Sequence, residues 1–271
     1  MKINHLKLAL LGCGILLMVS CKKDESDNDT LIAKDFALGE NASEDLQSIA
    51  DQAQIGDLND FKSGNDLLAG NCATITRDTL SNPKTMTIDF GPTNCLGNDG
   101  RLRRGVINVT YTGKYRDPGT VITITTQDYY VNNNKIIGTR VITNQGPNSF
   151  GQMVFNVTVN CQIEKANGAG TATHNATKTR TWIEGFDTPQ WNDDAYLVEG
   201  TVNGNSAAGV SFTATTLTPL RRQIGCKWFT EGKVEMNKTG KPIRTIDFGN
   251  GTCDNQATVT INGNVYNITL P

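Results

Sequence analysis

Histidine is nearly missing from this 271-residue chain, which holds only His5 and His174. A multi-histidine zinc centre needs more ligands than that, and no HExxH or CxxC motif supplies a metal site by another route. The phosphate-cradling glycine loop and the nucleophile elbow are also lacking. No metal, cofactor or catalytic residue is therefore expected. Long apolar runs are absent too: the stretch Leu8 to Val19 has twelve residues, whereas a membrane-spanning helix needs about 20. The 8 prolines against 27 glycines, without a triplet period, exclude a collagen-like chain, and 37% hydrophobic residues suffice for a packed core. A net charge of -2 gives no basic footprint for nucleic acid.

What is present begins with an address. Lys2 and Lys7 precede the apolar run, and the small residue Ser20 follows it, which is the pattern of a secretory signal over residues 1–20. The stretch Leu17-Met18-Val19-Ser20-Cys21 resembles the lipobox of bacterial lipoproteins. That resemblance implies cleavage before Cys21 and acylation of its sulfur. The next residues, Lys22-Lys23-Asp24-Glu25-Ser26-Asp27-Asn28-Asp29, are charged and free of aromatics. They look like the surface-export signal of Bacteroidetes-type lipoproteins, and so imply an outer-membrane protein held by lipid and facing the cell surface.

Charge is unevenly spread. Residues 22–66 carry 4 basic and 12 acidic groups, and residues 67–271 carry 19 basic and 15 acidic. The break divides a lipidated acidic tether, 21–66, from a β-rich domain, 67–271. Within the tether, Asn41-Ala42-Ser43-Glu44 fits a helix cap, with Leu46, Ile49, Ala50 and Ala53 following at helical spacing. One short helix is expected there, with its apolar stripe packed on the body.

From Cys72 onward the period is two. The segments Val106–Tyr111, Val121–Thr125, Ile136–Ile142, Met153–Val159, Tyr196–Val202, Val210–Thr216 and Thr258–Ile261 are rich in Val, Ile, Thr and aromatics. Turn signals separate them: Asp117-Pro118-Gly119, Asn132-Asn133-Asn134, Gln145-Gly146-Pro147, Asn203-Gly204-Asn205 and Asn262-Gly263-Asn264. No helical pattern offers a crossover connection, so the sheets should be antiparallel. The expected fold is all-β, an antiparallel sandwich or long meander of about 12–14 strands.

Two segments share a signature. Thr87-Ile88-Asp89-Phe90-Gly91 precedes Cys95, and Thr245-Ile246-Asp247-Phe248-Gly249 precedes Cys253. Each has an upstream cysteine, Cys72 or Cys226, and a turn-like stretch between. Folded as hairpins, residues 72–95 and 226–253 return their cysteines to nearly one level, within disulfide reach. An exported location favours the bridges Cys72–Cys95 and Cys226–Cys253 over four buried thiols. Cys161 is left over. A nucleophilic thiol would want a histidine, but His174 lies in Thr171-Ala172-Thr173-His174-Asn175, read as a polar loop or strand edge. Asp89 and Asp247, placed just before a glycine, are read as corner-fixing carboxylates rather than as a glycosidase pair.

A ligand is sought first in the connection 182–196, where Trp182, Trp191, Asp193, Asp194 and Tyr196 gather rings for stacking on sugars and carboxylates for hydroxyls. Arg101, Arg103, Arg104, Lys114 and Arg116 form a second cluster that would suit an anionic partner. The function expected is a non-catalytic surface protein with a structural, adhesive or glycan-binding role. Its partners would be the membrane, through lipid, and a glycan or envelope component. The alternative is a glycoside or polysaccharide hydrolase that works with two carboxylates.

Overall fold

A computed structural model describes residues 27–53 and 72–271. The signal, Cys21 and the first tether residues lie outside that range. One helix, α1 (Leu31–Ala53), is followed by fourteen strands. They are β1 (Thr74–Asp78), β2 (Lys84–Asp89), β3 (Cys95–Leu96), β4 (Leu102–Tyr111), β5 (Val121–Val131), β6 (Asn134–Pro147) and β7 (Met153–Glu164), then β8 (Thr171–Glu184), β9 (Ala195–Asn205), β10 (Ser211–Gln223), β11 (Glu231–Asn237), β12 (Arg244–Asn250), β13 (Gln256–Ile261) and β14 (Asn264–Thr269). They form one unclosed antiparallel sheet in the order β1-β2-β4 and then consecutively to β14, with β3 paired beside β4. Of the two architectures expected, the molecule is the meander.

The strands follow from alternation. Along β7, Met153, Phe155, Val157, Val159, Cys161 and Ile163 are buried, while Asn156, Thr158 and Asn160 face out. Two-residue hairpins of type I′ need left-handed backbone at both central positions. Asn132-Asn133, with φ of 50° and 66°, and Asn262-Gly263, with 49° and 78°, provide it. Two other turn signals are absorbed into strands. Gln145-Gly146-Pro147 lies in β6, where Gly146 sits at a register shift rather than a reversal. Asn203-Gly204-Asn205 lies in β9, where Gly204 faces inward and a Cβ would meet the Phe212 ring at 2.6 Å.

A single sheet leaves one face needing cover, and here the sheet curls around α1. Nineteen of the helix's 23 residues are buried, so it is enclosed on all sides rather than along one stripe. The acidic stretch from Asp27 to Ala53 is therefore packed within the β-rich body. The helix also begins ten residues before the Asn41 cap signal, near Asp29, whose Oδ1 accepts a hydrogen bond from the Leu31 amide at 3.0 Å. Asn41, Ser43 and Glu44 are mid-helix residues that serve the sheet instead. Gly39 lets the helix approach β8, for a Cβ there would collide with the His174 ring.

Both cysteine pairs are bridged, with Cα separations of 5.6 Å for Cys72–Cys95 and 5.7 Å for Cys226–Cys253. Each bridge brackets a hairpin, β1–β2 or β11–β12. The two aspartates act alike: Asp89 Oδ1 accepts from the Gly91 amide at 2.7 Å, and Asp247 Oδ1 from the Gly249 amide at 3.0 Å. Both glycines have positive φ, which a side chain would strain. Phe90 and Phe248, next to them, are buried.

Candidate functional site

The interior is unusually ionic. The helix presents Asp35, Glu40, Glu44, Asp45 and Asp51, and the sheet answers with cations pointing inward. Lys165 reaches Asp35 at 2.8 Å, and Lys178 reaches Glu40 at 2.5 Å. Arg101 and Arg103 grip Asp45 at 2.7 and 2.6 Å. Arg140 lies 3.0 Å from Glu44 without hydrogen-bond alignment, and its Nε donates to Gln47 Oε1 at 3.0 Å. These cations outweigh the burial that would raise the carboxyls. Lys178 and His174 hold Glu40 at about 2, Arg140 and Arg180 hold Glu44 at about 2, and Arg103 and Arg101 do the same for Asp45. Asp51 differs, because Arg180 stands 4.0 Å off and burial prevails, raising it to about 6.

The residues first sought for a ligand belong to this interior. Trp182, Trp191 and Tyr196 are buried, so none offers a ring face for stacking on a sugar. Trp182 packs against Tyr115, Phe186 and Tyr196, and its Nε1 donates to the Glu184 carbonyl at 2.6 Å. Tyr196 carries the Arg180 guanidinium 3.6 Å above its ring. Asp194 is buried, and exposed Asp193 accepts from Thr188 Oγ1 at 2.8 Å across the loop. The basic cluster is also dispersed: Arg101 and Arg103 point at Asp45, whereas Arg104 turns to Asn94 and stacks over Tyr130 at 3.7 Å.

His174 is not in a loop. It lies inside β8, directly across from Cys161 on β7, and both are buried. Burial pushes the Cys161 thiol up to about 12 and lowers the His174 imidazole, so the thiol stays protonated and the ring neutral. That pair lacks the ionisation a cysteine nucleophile needs. Two carboxylates do approach each other, since Asp45 and Asp99 each accept from Arg103 Nη2 at 2.6 Å. Yet Arg101 and Arg103 grip Asp45, and both oxygens of Asp99 accept from Arg103, so neither carboxyl is free to be the proton donor that a glycosidase pair needs.

A different feature emerges on the outward face of β8 to β11. Register aligns Thr173, Asn205 and Ser211 in one row, and Asn175, Asn203, Thr213 and Asn237 in the next. The first row is tied together: Ser211 Oγ donates to Asn205 Oδ1 at 2.6 Å, and Asn205 Nδ2 donates to Thr173 Oγ1 at 3.2 Å. In the second row, the side chains of Asn175, Asn203 and Thr213 are exposed and make no hydrogen bond within the described residues. With Lys238 and Thr239 these rows line a groove of about 520 Å³ that has no carboxylate in its walls. The groove can bond a hydroxylated ligand at several points, but it offers no acid or base. Its residues occur in the sequence as Thr-x-Asn, Asn-x-Asn and Ser-x-Thr, a period-two signal that only strand register assembles.

Among the described residues, no cluster of His, Cys, Asp and Glu is arranged to hold a metal, and no helix is long and apolar enough to cross a membrane. No family model, curated protein or solved structure matches the chain.

Proposed function

We propose that the chain is a lipid-anchored, surface-exposed protein that binds a glycan of the cell envelope without cleaving it. The observation that carries this reading is the two-row groove of amides and hydroxyls on β8 to β11, a donor and acceptor array suited to sugar hydroxyls. The leader supports the anchor through the lipobox-like stretch ending at Cys21. Six residues later the chain is already docked, with Asp27 paired to Arg244 at 2.7 Å and Asp29 to Lys238 at 3.8 Å. Six residues span at most about 20 Å, so an acylated Cys21 would hold the body close to the lipid. Lys238 also lines the groove, so an anchor at Cys21 would bring the groove within reach of membrane-attached glycans.

The test uses the full chain in glycan-array and polysaccharide pull-down assays, scoring both retention and release of reducing sugar. Retention that falls in Asn203→Ala with Asn205→Ala, without sugar release, supports the reading. Release of reducing sugar would replace it with the hydrolase, and failure to retain any glycan would leave a structural envelope role. For the anchor, Cys21→Ser should move the protein from the membrane to the soluble fraction.

A further inference from the structure

A second cavity, of about 570 Å³, lies where the two disulfide corners meet. One wall is the Asn98–Arg101 turn that follows Cys95, and the other is the segment from Arg222 to Lys227 around Cys226. The walls come close: a Cβ on Gly100 would stand 3.6 Å from Lys227 Nζ. Three cations line this space, Arg101, Arg222 and Lys227, with Asp99 as the one carboxylate. Asp99 is already committed, since both its oxygens accept from Arg103, at 2.8 and 2.6 Å. Arg101 is likewise committed to Asp45.

That leaves two cations without a contact counter-ion among the described residues. Arg222 is only 2% exposed, yet among the described residues no carboxylate lies within ion-pair distance of it. Its Nη1 donates to the carbonyls of Cys226 and, at 3.4 Å, Trp228, while its Nε has no partner. Lys227 is half-buried and stands 5.8 Å over the Trp228 ring, again with no carboxylate in ion-pair contact among the described residues. Glu44 and Asp45 act on Arg222 only from beyond that distance and do not outweigh its burial, and a guanidinium buried without a contact counter-ion costs several kcal/mol. Burial pulls Arg222 down to about 10, which still leaves it charged at neutral pH. An arrangement that bears this cost beside an open cavity is poised for an anion to relieve it. The cavity exceeds what a bare ion fills and falls in the ~300–1,000 Å³ range of small-molecule sites.

We propose that the cavity between the two disulfide corners binds a small molecule through an oxyanion, carboxylate or phosphate, received by the Arg222 fork and the Lys227 ammonium. A guanidinium matches such groups in a planar, two-point contact. The site shares no residue with the β8–β11 groove, so the two readings stand or fall separately.

The test is titration calorimetry, with Trp228 fluorescence as a second readout, on the full oxidised chain in low-chloride buffer. The probes are glucuronate, glucose 6-phosphate, inorganic phosphate and neutral glucose. Saturable binding of an anionic probe but not glucose is expected. Glucuronate or glucose 6-phosphate binding assigns the oxyanion to an anionic sugar, and binding of inorganic phosphate alone assigns it to free phosphate. Lys227→Ala, at a half-exposed position that the fold does not need, should weaken binding about tenfold, as the loss of one charge-assisted hydrogen bond implies. Arg222→Met should abolish binding while leaving the ligand-free melting temperature unchanged or higher, because it removes a buried charge that has no contact counter-ion and leaves Glu44 with Arg140, Arg180 and Lys178. Absence of saturable binding, equal binding of glucose, or unchanged affinity in both variants would overturn the proposal.

Discussion

Along β8 the buried residues are Ala172, His174, Ala176, Lys178, Arg180 and Trp182, whereas along β12 and β13 Arg244 is followed by Ile246, Phe248, Ala257, Val259 and Ile261. Both stretches close the same interior. The β12–β13 arc does so by apolar contact alone beyond Arg244, which tolerates exchanges of similar volume. The β8 arc, with Arg103 on β4 and Arg140 on β6, does so by pairing with helix carboxylates at set positions. Such pairs add little net stability over apolar packing, because desolvation offsets their attraction. They do penalise misplacement: a helix shifted by one turn would leave buried charges unpaired. The comparison teaches that one arc supplies cohesion and the other fixes how the helix sits.

Acid should separate the arcs most strongly. Glu40, Glu44 and Asp45 titrate near 2 in the fold against ordinary values of 4.5, 4.5 and 3.8. Depressed carboxyls stabilise above their unfolded values and lose that contribution as pH falls toward the folded ones. His174, also lowered, begins the loss from about 6.5 downward. Unfolding free energies from urea titrations should drop steeply between pH 5 and 2, by on the order of 5 kcal/mol in all. A flat profile would break the comparison.

Single substitutions come next. Arg103→Met leaves Asp45 and Asp99 buried without that cation and should cost about 3–5 kcal/mol. Ile246→Val in the apolar arc should cost about 1 kcal/mol. Equal losses in chemical denaturation would mean the ionic arc is no more sensitive than the apolar one. The bridges sample both arcs, Cys72–Cys95 beside Arg103 and Cys226–Cys253 beside the apolar strands. Replacing either pair by serine should cost about 3 kcal/mol, since their loops are of similar length. A much larger loss at Cys72–Cys95 would show that this bridge also positions the ionic arc.

The smallest effect has the opposite sign. Asp51, raised from 3.8 to about 6, favours folding fully below about pH 4, and that contribution is lost as pH rises through 6. Asp51→Asn should therefore stabilise the protein at pH 7.5 by about 1–2 kcal/mol and leave it unchanged at pH 4. Thermal melts at the two pH values check the difference, and destabilisation at pH 7.5 would show that Asp51 is a true partner of Arg180.

These arcs also mark what could be read from residues alone. In β7 and β13, alternation carries the strand by itself, and cysteine spacing with the TIDFG motif announced both bridged hairpins. Strand β8 was missed because its inward positions hold His, Lys and Arg, which read as solvent-facing until an acidic helix stands opposite. The start of α1 was missed for a related reason: Asn41 to Glu44 look like a cap, but their polar groups meet Arg140 and Pro271. The rings at 182, 191 and 196 could not be assigned to core or surface from a loop-like context. The groove on β8 to β11 needed register across four strands before its amides became neighbours.

Period-two patterning, hairpin turns and cysteine spacing are local properties, so the sequence by itself determined an antiparallel all-β chain, sandwich or meander, with two stapled hairpins. The charge break between leader and body read as a domain boundary, and only the structure showed the helix carboxylates paired with cations of the sheet. Which carboxylate meets which cation, and which cations are left without one, was decided only when the sheet curled around the helix. Burial and pairing of charge depend on residues far apart in the chain, from Asp45 with Arg103 at 58 positions to Glu40 with Lys178 at 138, and no local pattern encodes that distance.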